Sequence, residues 1–259
     1  MTSKRRIFEK VNRLYHFTSL DAASKIIETG KLRFSKSYRL NDLIESNRIV
    51  FERVLSEESV IQCNGYFAER ELHKVQQISF SQDREYGGRW FLGFDLHTMW
   101  GLYADKGYGV CLVFDKDRLV LEDGDYANDV RYFDIIPQYA PIDNRSRLGI
   151  RDEIWRKKEE IYFRKRKEWE YEQEYRVIRR AKSEDVTEYL DISKSLSFAI
   201  ICKDILCDSY DNMFESETYL KLYLLNKRLP ILLYEFGLDG YSLYNEEMDP
   251  IWTEQLGFM

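Results

Sequence analysis

Residues 13–35 read RLYHFTSLDAASKIIETGKLRFS, and the change of apolar period along this stretch decides the fold class. Arg13–Phe17 is predicted as a short strand. Thr18 and Asp21 stand at capping-box spacing ahead of Ala22, Ala23, Ile26 and Ile27, so a helix starts there. Gly30 takes a left-handed backbone at little cost and ends the helix, and Lys31–Ser35 returns as a strand. The first unit is therefore strand, helix, strand.

The same reading extends outward. Gly109–Asp115 (GVCLVFD) is a continuous apolar and β-branched run, as a strand buried on both faces should be. Ile78–Ser81 alternates with period two, and Tyr175–Ile178, Leu190–Ile192, Phe198–Cys202 and Ile231–Phe236 add further strands. Helices are expected over Asn41–Leu55, Asp95–Ala104 (with Trp90 and Trp100 as anchors), Ile150–Trp169 and Glu217–Asn226. Asn64-Gly65 breaks the chain, and Gly87-Gly88 marks an exposed, mobile loop. Strands outnumber and interrupt the helices. The expectation is α+β, with a mostly antiparallel sheet core and flanking helices. No repeat, low-complexity segment or linker divides the chain, so one domain over 1–259 is the simplest organisation.

Composition narrows the function classes. With 259 residues, 44% of them apolar and only 4 Pro, the chain can bury a sizeable core, which excludes disorder over its length. Cys63, Cys111, Cys202 and Cys207 form no CxxC pair, and His16, His73 and His97 do not supplement them at zinc-ligand spacing. Neither a disulfide framework nor a structural metal is expected. The basic N-terminal residues precede no apolar signal core, and no apolar run reaches membrane-span length, so a soluble, cytoplasmic protein is expected. The net charge of −6 argues against non-specific nucleic-acid binding. Yet residues 145–182 hold 14 Lys and Arg against 8 Asp and Glu, and this local excess leaves −12 for the rest.

Three patterns carry chemistry. Tyr15-His16-Phe17-Thr18-Ser19, where a strand turns into a helix, can present an imidazole beside backbone N–H groups suited to phosphate. The simpler reading of the same residues is a half-buried core histidine and an ordinary helix cap, since capping pairs of this kind are frequent. Trp100-Gly101-Leu102-Tyr103-Ala104-Asp105, followed by Gly107-Tyr108-Gly109, offers aromatics beside close-approach glycines, or else two core anchors and a turn. Glu168, Glu170, Glu172 and Glu174 alternate at period two. On one face of an extended segment they would raise one another's pKa, unless they form a solvated helix end partnered by Arg164, Lys165, Arg166 and Lys167. That basic run is a solvated face or, more sharply, a phosphate or nucleic-acid contact.

In their order and spacing, YHFTS with Gly30, Asn41-Asp42 with Glu45, the SFS strand, WGLYADKGYGVCLVFD and WEYEQEYRVI resemble the uncharacterised bacterial family of domain of unknown function 2971, over about residues 14–178. The same residues look, more loosely, like the ADP-ribosyltransferase layout. That resemblance implies NAD consumed as a substrate with no metal. His16 holds a ribose hydroxyl, assisted by Thr18 or Ser19. Tyr103 stacks on nicotinamide, or Ser79 or Ser81 takes the middle position instead, and the choice stays open. Glu174 is the implied catalytic glutamate, with Glu172 completing a Glu-x-Glu pair. It also implies an acceptor that is protein or nucleic acid, and a setting as a bacterial toxin or phage-defence effector. Chemically, cleavage of the nicotinamide–ribose bond builds an oxocarbenium-like cation that a nearby carboxylate stabilises.

Two rivals stand beside this reading. One is a non-enzymatic sensor or interaction module on the same fold. The other is a metal-dependent nuclease using Asp42, Glu45 and Asp95, although these carboxylates have no recognised spacing.

Overall fold

A computed structural model describes residues 12–36, 67–86, 89–136, 146–202, 228–237, 240–245 and 250–251. In chain order the elements begin with β1 (Arg13–Thr18), α1 (Leu20–Thr29), β2 (Lys31–Arg33), β3 (Ser35–Lys36), α2 (67–73) and β4 (Val75–Gln82). There follow β5 (Arg84–Tyr86), β6 (Arg89–Phe91), α3 (His97–Tyr103), β7 (Val110–Asp115), β8 (Tyr126–Asp129) and β9 (Arg131–Phe133). Next come α4 (Arg147–Arg156), α5 (Lys158–Tyr162), β10 (Arg164–Arg166) and β11 (Glu174–Arg180). The last are β12 (Tyr189–Asp191), β13 (Leu196–Cys202), β14 (Ile231–Gly237), β15 (Gly240–Tyr244) and β16 (Pro250–Ile251). The fold is α+β with a mixed, mostly antiparallel sheet and several helices, as the alternation of periods predicts. None of the described helices is long and apolar enough to cross a membrane. The chain divides into two compact units, one of residues 1–32, 80–120 and 191–259, the other of 33–79 and 121–190.

In the first unit the sheet order is β16-β15-β14-β13-β7-β1, with the last residues of β4 beyond β1. β1 runs antiparallel to β7, setting His16 opposite Leu112, and antiparallel to β4, setting Tyr15 opposite Ser81. Val110 through Phe114 are fully buried, which is why this strand carries no polar alternation. β13 lies antiparallel to β7 and parallel to β14. α1 ends as expected: Gly30 adopts a left-handed φ of 66° and its N–H reaches the Ile26 carbonyl. Its start differs from expectation. Ser19, not Thr18, is the cap, accepting from the Ala22 N–H at 3.3 Å, because Thr18 is still held in β1 opposite Val110.

In the second unit β4 pairs with β11, β11 is antiparallel to β8, and β3 is antiparallel to β4. Ile150, Ile154, Ile161, Tyr162 and Phe163 pack with Val130, Ile178, Ala68, Leu72 and Val75 in one core. The single helix expected over Ile150–Trp169 is not formed. Ser146 caps α4 by accepting from the Gly149 N–H, a break at Lys157 separates α5, and the chain then extends as β10 before a 3-10 turn over Lys167–Glu172. Burial of charge explains the change. A helix would leave Arg164–Lys167 spread around its axis, whereas β10 sends Lys165 inward and leaves Arg164 beside Glu160 and Arg166 beside Glu168. The ladder of four carboxylates is also absent. Glu168 and Glu170 are exposed on the turn while Glu172 and Glu174 are buried, because Gln173 takes a left-handed φ of 44° between them.

The remaining strands begin or end within a few residues of expectation, and Asp95–Ala104 shortens to α3. The expectations for Asn41–Leu55, Asn64-Gly65, Gly87-Gly88 and Glu217–Asn226, and the side chain of Trp90, lie outside the described residues.

Two glycines of the first unit should respond oppositely to alanine. A Cβ on Gly109 would sit 2.7 Å from the Ala104 carbonyl carbon and closer still to the Thr18 carbonyl oxygen, both backbone atoms that do not yield. Gly101, inside α3, would place its Cβ in open space. Gly109→Ala is expected to lower stability by about 1–3 kcal/mol and Gly101→Ala to raise it by about 0.5–1 kcal/mol, read as shifts of the urea midpoint.

Candidate functional site

The second unit gathers four charged side chains in its interior. On β11, Glu174 and Arg176 are two residues apart and share a face of the strand. Arg176 donates to both carboxylate oxygens of Glu174, Nε at 2.6 Å and Nη2 at 2.8 Å, and its Nη1 donates to the Tyr162 carbonyl. Lys165 on β10 adds an ammonium that pairs with Glu174 at 2.9 Å and also binds Glu172. The Ser79 hydroxyl, from β4, bonds Glu174 as well. β9 and β10 run parallel with Tyr132 directly opposite Lys165, and the Tyr132 oxygen accepts the Glu174 backbone N–H at 2.9 Å. The Trp169 ring closes over Lys165, its centroid 5.3 Å from Nζ.

None of the four charges is more than 6% exposed, so their protonation is set by one another. Burial pushes the Glu174 carboxyl up, but the Arg176 and Lys165 charges, with hydrogen bonds from Arg176 and Ser79, outweigh it and hold the group well below the usual carboxylate range. Burial lowers the Lys165 ammonium, yet Glu174 and Glu172 more than reverse this and leave it above its ordinary value. Glu174 is therefore held as a carboxylate and Lys165 as an ammonium, in a cluster of two acidic and two basic side chains. The Tyr132 hydroxyl is pushed up by burial first and by Glu174 next, which keeps it protonated.

Of the residues singled out in the sequence, Glu172, Glu174 and Ser79 come together here. The others belong to the first unit. His16 is half-buried on β1, its ring edge-on to Phe80 at 5.9 Å. Thr18 ends β1, Ser19 caps α1, and Ser81 is buried on β4. Tyr103 is half-buried at the end of α3, whose Trp100 is a core anchor stacked on Tyr234 at 5.5 Å. Asp95 accepts from the Tyr234 hydroxyl at 2.5 Å. Asp42 and Glu45 lie outside the described residues, and among the described residues no group of three or more His, Cys, Asp or Glu is placed to hold a metal ion.

Arg176 and Tyr132 escape the sequence reading, and Lys165 enters it only within the run Arg164–Lys167, as a partner of the carboxylates on a solvated helix end or as a phosphate or nucleic-acid contact. Arg176 had a signal, because a Glu and an Arg at period two share one strand face. Nothing singled Lys165 out within its run, because its neighbours Arg164, Arg166 and Lys167 are equally basic and only the strand register turns one of them inward.

Removing one cation should expose the balance. Lys165→Met is expected to lower stability by about 3–5 kcal/mol at pH 7, since two buried carboxylates then share one guanidinium. The folded-state pKa of the carboxylate left with excess negative charge rises above its unfolded value of about 4.3. The folded variant therefore binds more protons than the unfolded chain, and its stability should rise as the pH falls from 7 toward 5. Urea titrations at both pH values check this; a variant that instead loses stability on acidification contradicts the charge count.

No curated protein and no solved structure matches the chain. A family model described as Protein of unknown function (DUF2971) matches residues 99–177, the stretch from α3 to β11 that holds Lys165, Glu172, Glu174 and Arg176, and this supports the resemblance to that family.

Proposed function

We propose that the chain transfers ADP-ribose from NAD to a protein or nucleic-acid acceptor, with Glu174 as the carboxylate that stabilises the oxocarbenium-like transition state. The observation that carries this reading is the convergence of Ser79 on Glu174 beside Glu172, from positions some 95 residues apart. It favours Ser79 over Tyr103 and Ser81 as the middle residue of the pattern. NAD supplies the scissile bond to a cationic nicotinamide, and the residues present suit such a substrate. Two carboxylates already hold a cation in the form of Lys165, and Trp169 already offers that cation a ring face. Ser79 orients the Glu174 carboxylate, and Arg176 fixes its plane through two bonds.

A second reading is favoured by that same pair of bonds. A carboxylate whose two oxygens both face Arg176 is neutralised in place, as a structural ion pair is, and the domain would then be a non-enzymatic sensor or interaction module.

Nicotinamide release separates the two. Purified protein with NAD should liberate free nicotinamide slowly, and faster when a cell extract supplies an acceptor. NAD should also raise the melting temperature. Ser79→Ala, which removes one hydroxyl and leaves the charges intact, should stay folded and lose about 100-fold or more of the release. Glu174→Gln should abolish release too, but with a folding loss of about 3–5 kcal/mol, which makes Ser79→Ala the cleaner test. No release and no thermal shift, with or without extract, would establish the interaction module.

A further inference from the structure

Gln77 extends the site by one residue along β4. Side chains at 77, 79 and 81 leave a strand on one face, and the Gln77 amide nitrogen lies 3.4 Å from the Ser79 oxygen. Gln77 is 2% exposed, and its Oε1 is buried with no hydrogen-bond partner among the described residues. The orientation of that amide follows from proton counting. Glu174 is ionised and can only accept, so the single Ser79 proton goes to it. The Ser79 oxygen is then left as an acceptor, and Gln77 must offer it an N–H rather than its carbonyl. The carbonyl consequently faces away from Ser79 with its lone pairs unused. A buried acceptor left in this state costs stability, and such a cost is retained where a ligand satisfies it.

Resting on the NAD reading of this site, we infer that Gln77 is a specificity-determining residue whose Oε1 accepts a hydrogen bond from the carboxamide N–H of the nicotinamide ring. Its amide nitrogen meanwhile positions Ser79. The ligand class is a flat ring bearing an amide donor, and an analogue carrying a carboxylate in that place should be rejected because it has no proton to give and adds negative charge beside Glu172 and Glu174.

The test uses Gln77→Met, which keeps the length and removes both polar atoms, with nicotinamide and nicotinic acid as probes of thermal shift and NAD for turnover. The variant should melt about 2–4 °C higher than the wild type, because an unsatisfied buried carbonyl has gone. It should also lose roughly tenfold in nicotinamide affinity and show a raised KM for NAD with a smaller change in kcat. In the wild type, nicotinamide should raise the melting temperature and nicotinic acid should not. A lower melting temperature in Gln77→Met, or equal nicotinamide and NAD binding by the two proteins, overturns the role of Gln77 while leaving nicotinamide release, and with it the transferase reading, standing. A nicotinamide shift that is present in the wild type and lost in the variant, without any release from NAD, keeps the role of Gln77 and removes the transferase reading.

Discussion

Arg176, fully buried, is held by both oxygens of Glu174 and by the Tyr162 carbonyl, and the second unit is arranged so that this guanidinium and three further charges can leave water. An ion taken into a protein interior without partners costs several kcal/mol. Two cations and two carboxylates are tolerable there only because each finds the other within hydrogen-bond reach. That requirement reaches beyond the four residues. It makes β10 a strand where the sequence alone favours a helix, since only alternation turns Lys165 inward and its neighbours outward. It sets Tyr132 opposite Lys165, and it places Ser79 against Glu174. α5, built for apolar packing, stops at Tyr162, just before β10 brings Lys165 inward.

The two cations are not held alike. Arg176 makes a two-pronged contact with one carboxylate and a third bond to backbone, a geometry that a guanidinium fills and an ammonium cannot. Lys165 divides itself between Glu172 and Glu174 and a ring face. Displacing Lys165 would leave a net negative charge and an aromatic surface together, whereas displacing Arg176 would break the strand's attachment to Tyr162.

The sheet was legible in the sequence wherever burial was apolar. GVCLVFD could be read because β7 is covered on both faces, and Gly30 because a helix end needs a left-handed residue. The region from Arg164 to Glu174 was not legible, because its structure is decided by pairing between charges, and a string of alternating Lys, Arg and Glu suits a solvated helix as well as a buried strand. Glu174 was reached through resemblance and Ser79 through an alternative left open. Gln77 and Tyr132 had no signal, since a lone Gln in a strand or a Tyr beside basic residues is ordinary. Their placement arises from register, which local sequence specifies weakly.

Gln173 shows what the arrangement demands of the backbone. A left-handed conformation costs a residue with a Cβ on the order of 1–2 kcal/mol, and at this position Gly or Asn would be the usual choice. Here the Gln173 amide turns back and donates to the Glu170 carbonyl at 2.5 Å, closing the 3-10 turn that precedes it. The turn is what separates Glu172 from Glu174. In a continuous strand the two carboxylates would rise side by side from one surface, each close to the other's charge. At Gln173 the 3-10 turn gives way to β11, and the two carboxylates meet the Lys165 ammonium from different elements, the turn and the strand. Strain at one residue thus sustains the placement of two buried charges, which is the circumstance in which backbone strain is retained.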